Sequence, residues 1–213
     1  MSRIFLDWNL GLGDAILCNG LVRELAKNHE FIVLPVKHSL ELSVRQLFSD
    51  LKNVAYLPVD GDSVREVEGL TTLRIGLHAH PPPRTIYFDE GFYMLAGVPY
   101  DCRWSSFQVP SPPDPLSDRP QCLVAEEWSG GHCSIPVEGL RLDSKRTPVL
   151  TNWIPVIQAA EEIHCIDSAP MHLIESVPTK ARLFFWNELR KGSNFARRKA
   201  WRYRGLIEGW MNA

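Results

Sequence analysis

Short apolar runs and amphipathic stretches alternate along the first hundred residues. The run Arg3-Ile4-Phe5-Leu6 has the length of a buried strand. Over 14–28, Ile16, Leu17, Gly20, Leu21 and Leu25 recur at three- and four-residue spacing, which predicts a helix with one apolar face. FIVLPV (31–36) reads as a second strand, and 39–49 as a helix carrying Leu40, Val44, Leu47 and Phe48 on one face. VAYLPV (54–59), a short helix near 62–68, LRIGLH (73–78) and a helix over 88–99 stopped by Gly97 and Pro99 continue the series. Strands alternating with helices predict a parallel sheet with right-handed crossovers.

The pattern breaks at VPSPPDPLSDRP (109–120), five prolines in twelve residues. Pro-rich segments are extended and semi-rigid, which predicts a linker over 111–120. A second series follows: QCLVAEE (121–127) as a strand, SGGHCSIP as a loop, a helix over 152–163, HCID (164–167) as a short strand, a helix over 170–177 and ARLFFW (181–186) as a strand. The sequence therefore divides into an N-terminal Rossmann-like domain over 1–110, the linker, and a second domain over 121–205, with a basic C-terminal helix running to 213.

Composition narrows the class. The chain has 213 residues, 45% hydrophobic and 23% charged, as expected of a soluble globular α/β protein of one or two small domains. A net charge of −2 supplies no global attraction to nucleic acid or to an anionic membrane. Met1-Ser2-Arg3 leads straight into a strand with no signal-peptide pattern, and no apolar run approaches the roughly 20 residues of a membrane span. The five cysteines form no C-x-x-C pair, which favours reduced thiols and a cytoplasmic location.

Two segments carry chemistry. The first is LDWNLGLGDAIL, where Gly11 and Gly13 let the backbone turn sharply from strand to helix beneath a ligand. Ile16 stands where G-x-G-x-x-G needs its third glycine, and the second strand runs toward Lys37 and His38 with no acid for a ribose, which argues against a dinucleotide site. No G-K-[ST] follows, so a Walker A loop is excluded. Asp14, at the helix start, would repel a phosphate. It serves either as a first-turn acid contributing about 1 kcal/mol or as a general base fixed at a cleft.

The second segment is AEEIHCIDSAPMHLIESV (160–177). A strand ends in Asp167, Ser168 is placed to cap the following helix, and Pro170 sits in its first turn, where a missing N–H is harmless. The free amides of such a turn suit an anion such as a nucleotide diphosphate, with Ser168 and His172 as further donors. The alternative is a well-capped turn with His172 packed upon it.

Together these segments resemble glycosyltransferase family 9, the heptosyltransferase-like enzymes. GLGDAILCNGLVRELAK is similar to that family's opening G-x-G-D turn, and IHCIDSAPMHLIESV to its strand–D-[ST]-G-P-M-H–helix signature. The resemblance implies a compact, divergent GT-B member, with two small Rossmann-like domains whose parallel sheets face across a cleft. It further implies metal-independent transfer of a sugar from a nucleotide-sugar co-substrate, without other cofactor, to a glycan, lipid-linked or modified-DNA hydroxyl. By position, Asp14 matches the family's candidate base, Gly11 and Gly13 its acceptor-side turn, and Asp167, Ser168, Met171 and His172 its donor turn. Gly20 stands where the family has proline and Ala169 where it has glycine. EEWSGGHCS lacks a basic residue for the donor phosphates, so Arg141 and Lys145, beside Arg146, are the candidate replacements.

Other groupings are weaker. His78-Ala79-His80 has no third metal ligand at a regular spacing, so no metal site is expected. Cys133, beside His132, lies in nothing that marks a thiolate. The tail carries Arg197, Arg198, Lys199 and Arg202 interleaved with Trp201 and Tyr203, either a solvated amphipathic helix or a contact for a polyanion. Four readings stand: a sugar transferase; a phage-type transferase acting on hydroxymethylated DNA bases; a non-catalytic nucleotide- or glycan-binding relative; and a nucleotide-sugar epimerase.

Overall fold

The computed structural model describes residues 2–61, 66–77, 87–128, 131–186 and 211–212. The chain divides into two compact units, Met1–Pro110 and Ser111–Ala213.

The first unit is built on four parallel strands: β1 (Ser2–Asp7), β2 (His29–Lys37), β3 (Val54–Val59) and β4 (Thr71–Arg74), in the order β3-β2-β1-β4. Central β1 is apolar on both faces because both are covered, and Ile4, Phe5 and Leu6 are buried. Pro35 is tolerated in β2 because it lies past the last residue paired with β1. After β4 the chain stays alongside the β1 turn: the Ile75 and Gly76 amides donate to the Asp7 carbonyl at 2.8 and 3.0 Å. Residues 62–65 of the helix expected near 62–68 lie outside the described residues, and 66–70 are not helical.

The single helix expected over 14–28 is instead two, α1 (Leu12–Leu17) and α2 (Asn19–Asn28), parted at Cys18. The cause is a side chain from elsewhere. The Tyr93 hydroxyl donates to the Leu17 carbonyl at 2.9 Å and accepts from the Leu21 amide at 3.3 Å, so a phenol stands where the helix would bond to itself. Gly20 allows a second intrusion, since a Cβ there would lie 1.9 Å from the Cys102 carbonyl oxygen. Next come α3 (Glu41–Leu47) and α4 (Phe88–Ala96), the latter stopped by Gly97 in the left-handed conformation at φ 67°. A short α5 (Cys102–Ser105), unmarked by any periodicity, supplies the Cys102 carbonyl. Arg23 of α2 ties the unit together: it pairs with Asp50 at 2.8 Å and donates to the Leu47 and Gln108 carbonyls.

In the second unit, β5 (Cys122–Ala125) is an inner strand of the sheet. A hairpin of β6 (Glu127–Trp128) and β7 (Gly131–His132) occupies the stretch expected to be a loop. It is followed by β8 (Leu140–Arg141), α6 (Ile154–Ala159), β9 (Glu162–Cys165), α7 (Ala169–Ser176), β10 (Arg182–Phe185) and β11 (Met211–Asn212). All five sheet strands are parallel, in the order β11-β10-β9-β5-β8. The helix expected over 152–163 gives way to a 3-10 turn, Leu150–Trp153, and the shorter α6. β9 begins at Glu162, whose amide donates to the Gln121 carbonyl at 2.9 Å, so the pairing with β5 overrides the helix-favouring glutamates. Asp167 therefore lies beyond the strand rather than at its end. Of the C-terminal helix expected to run to 213, residues 187–210 lie outside the described residues, and 211–212 form β11 instead, paired with β10. Among the described residues no helix is long and apolar enough to cross a membrane.

Candidate functional site

In parallel α/β sheets, ligand-binding groups gather at the carboxyl ends of the strands. In the first unit that place is the turn from β1 to α1. Trp8, Asn9 and Leu10 are buried. The Trp8 indole donates to the Pro35 carbonyl at 2.9 Å and packs on Phe48, anchoring the turn to β2. Gly11 then occupies the cap position of α1 in extended conformation, with no side-chain cap bond.

Asp14 follows at the third helical position, partly exposed, where its charge complements the helix amino end. A Cβ on Gly11 would sit 2.5 Å from Asp14 Oδ2, so with any larger residue there the carboxylate would have to swing aside. Its other oxygen, Oδ1, faces Asn9 Nδ2 at 3.5 Å. One turn on, Cys18 is fully enclosed; burial first, and then the charge of Asp14, holds its thiol well above the usual range. It is an inert core thiol.

In the second unit the corresponding place is the turn from β9 to α7. Ser168 occupies the helix-cap position, but its hydroxyl donates back to the Ile166 carbonyl at 3.2 Å and makes no cap bond. The expected Ser168 cap is thus absent, and its hydroxyl does not engage the amides that open α7. Met171 is completely buried with Leu173 and Ile174. His172 is buried too, its Nδ1 3.8 Å from Glu175 Oε2, so its ring belongs to the interior. Asp167 is half-buried between the strand end and the helix.

The basic candidates part company. Arg141, on β8, spends its guanidinium on Glu126 at 3.0 Å and on the Val137 and Ile135 carbonyls at 2.8 and 3.3 Å. Arg146 pairs with Asp118 at 2.6 Å and lies over Trp153. Lys145 is exposed on the turn between them. Arg197, Arg198, Lys199 and Arg202 lie outside the described residues, as do His78 and His80. Among the described residues no three His, Cys, Asp or Glu side chains gather as a metal requires.

Two groups escape sequence reasoning. The first is Asn9, whose only signal is a polar residue set within an apolar run. The second is Glu126, at the carboxyl end of β5. Its Oε1 meets His132 Nε2 at 2.9 Å and Arg141 Nε at 3.0 Å, while Oε2 accepts the Ile135 amide at 2.9 Å. Burial pushes the Glu126 carboxyl up, yet the Ile135 N–H, His132 and Arg141 together hold it below the ordinary range. Only the hairpin brings His132 back to Glu126, and Gly130-Gly131 is the one hint of that reversal.

No protein-family model matches the sequence, and no curated protein sequence matches it. Solved structures do. The iron-containing dodecameric glycosyltransferase TibC from enterotoxigenic E. coli H10407 matches with a TM-score of 0.60 at 11% identity over 87% of this chain. The dodecameric iron-containing heptosyltransferase TibC in complex with ADP-D-beta-D-heptose matches with a TM-score of 0.55 at 13% identity over 87% of this chain. The chain spans 58% of the length of each of these two. A family 9 glycosyltransferase from Veillonella parvula DSM 2008 matches over 100% of this chain and 85% of its own, with a TM-score of 0.56 at 13% identity. At such identities the likeness is one of fold, and the fold of this chain is like that of the family 9 glycosyltransferases.

Proposed function

We propose that the protein transfers a sugar from a nucleotide-sugar donor to a hydroxyl acceptor, without a metal. The observation that carries this reading is the Asp14 carboxylate, set against Gly11 at the first strand-to-helix turn of a glycosyltransferase-like fold. Asp14 takes the acceptor's hydroxyl proton as that oxygen bonds to the anomeric carbon. The bond from that carbon to the donor phosphate breaks, and its electron pair leaves with the nucleotide diphosphate. Within the second unit, the α7 amino end and exposed Lys145 are the groups suited to a diphosphate's charge, the part a metal plays in other transferases. Cys18, Cys102, Cys122, Cys133 and Cys165 form no disulfide among the described residues, which suits a reducing cytoplasm.

A second reading draws on the other turn. Ser168 turned back, His172 inside and Arg141 engaged by Glu126 favour a non-catalytic relative that binds a nucleotide or glycan. A thermal-shift screen with ADP-, UDP-, GDP- and CMP-sugars, followed by assay of nucleotide release against glycan and hydroxymethylated-DNA acceptors, separates the two. A ligand at a hundred times its dissociation constant adds about 2.7 kcal/mol of stability. Transfer predicts acceptor-dependent nucleotide release that Asp14→Asn abolishes while the thermal shift persists. Binding without release supports the second reading, and normal turnover by Asp14→Asn removes Asp14 as the base.

A further inference from the structure

Asn9 uses both ends of its carboxamide. It is buried where β1 gives way to the turn, and its Oδ1 accepts the Leu77 amide at 3.0 Å. Since Leu77 N–H needs an acceptor, the amide oxygen faces Leu77 and the amide nitrogen faces Asp14 Oδ1 at 3.5 Å. Gly11 lies against the other oxygen, Oδ2. The Asp14 carboxylate is thus bracketed by a hydrogen-bond donor on one side and a bare α-carbon on the other.

Two other titratable groups lie on the same stretch of chain. The Asp7 side chain lies 3.9 Å from Arg74, and Cys18 is an enclosed thiol. Leu77 follows β4, so the same carboxamide joins Asp14 to the chain leaving that strand.

We infer that Asn9 is the positioning residue for Asp14: its Nδ2–H holds the carboxylate in one orientation, while its Oδ1 fixes the carboxamide through Leu77. The catalytic consequence rests on the reading of Asp14 as base. The orientation itself does not.

Asn9→Asp places a charge at this contact. The two side chains are nearly isosteric, and the aspartate still accepts the Leu77 N–H, but it replaces the donor facing Asp14 with a like charge. That charge acts on Asp14 by proximity alone, so the variant that tests the donor is Asn9→Ala, which would leave Asp14 unchanged if Asn9 only pinned Leu77. The measurement is the titration of the Asp14 side-chain carboxyl by carbon-13 NMR in the ligand-free full chain. The expected result is a midpoint raised by about one pH unit or more in Asn9→Asp, because a like charge disfavours ionisation. A smaller rise is expected in Asn9→Ala, which removes only the donor. An unchanged midpoint in Asn9→Ala overturns the inference. Should Asn9→Asp fail to fold, the Asn9→Ala titration decides alone.

Nucleotide release from ADP-, UDP- and GDP-sugars supplies the catalytic readout. Loss of orientation lowers kcat by about ten- to a hundredfold, with KM for the donor nearly unchanged. A raised midpoint with unchanged kcat overturns the catalytic role. A raised midpoint in a chain whose wild type releases no nucleotide leaves the orientation standing and removes the transferase reading instead.

Discussion

Replacing Tyr93 by Phe removes one oxygen and, with it, both bonds that part α1 from α2. The Leu17 carbonyl and the Leu21 amide are then left facing each other in an interior where both residues are about fully buried. A buried backbone group stripped of its partner costs about 1–3 kcal/mol. The two groups are natural helix partners, and closing a direct bond would recover most of that loss. Closure is opposed at α2, where Gly20 already abuts the Cys102 carbonyl and Asn19 is fixed by its Nδ2 bond to the Leu47 carbonyl at 3.2 Å. The break is therefore clamped from outside the helix. Tyr93→Phe is expected to cost about 2 kcal/mol, counting two stripped groups with partial relaxation. For a chain of this size that lowers Tm by about 4–8 °C. Urea unfolding followed by far-UV circular dichroism, with an unchanged m-value, measures it. A loss below about 0.5 kcal/mol would refute the clamp, because such a loss is within the range of an ordinary surface change.

Two further predictions concern buried charge. Asp89 and Arg103 are both enclosed, 3.7 Å apart. Asp89→Asn should cost about 3–5 kcal/mol by leaving the Arg103 guanidinium charged and buried, and Asp89→Leu with Arg103→Met should recover much of it; equal losses in denaturant would show that the pair is not coupled. His164 accepts the Trp186 indole N–H at 3.0 Å and stacks on Phe184, and burial, outweighing nearby Glu162, holds its pKa below the ordinary 6.5. Because the folded state binds this proton less readily than the unfolded one, His164 contributes stability above about pH 6.5 that is lost as pH falls through that value and below it. His164→Gln should flatten this part of the stability–pH curve, and an unchanged slope would show that another group sets it.

What the sequence discloses and what it conceals differ by the reach of the interaction responsible. β1, β2 and β3 were legible because their apolar runs are short and bounded by polar residues, and the end of α4 because Gly97 adopts the left-handed conformation that glycine favours. Those signals act within a few residues. The break at Cys18 depends on Tyr93, seventy-two positions beyond Leu21, and no periodicity within 14–28 could carry it. The start of β9 was hidden for a related reason. Glu161 and Glu162 favour a helix locally, while the Gln121 carbonyl that claims their amides comes from the next strand. The same division runs through the candidate site. The spacing of Gly11, Gly13 and Asp14 marks the turn, yet which group orients the carboxylate depends on Leu77, brought alongside by the β1–β4 pairing. Ser168 sits where a cap belongs, but its hydroxyl goes to the Ile166 carbonyl, so position alone did not disclose its bond. A motif thus locates an element's end, while the chemistry there is set by the partner that tertiary packing delivers. That is why Asn9, unremarkable in sequence, comes to face Asp14.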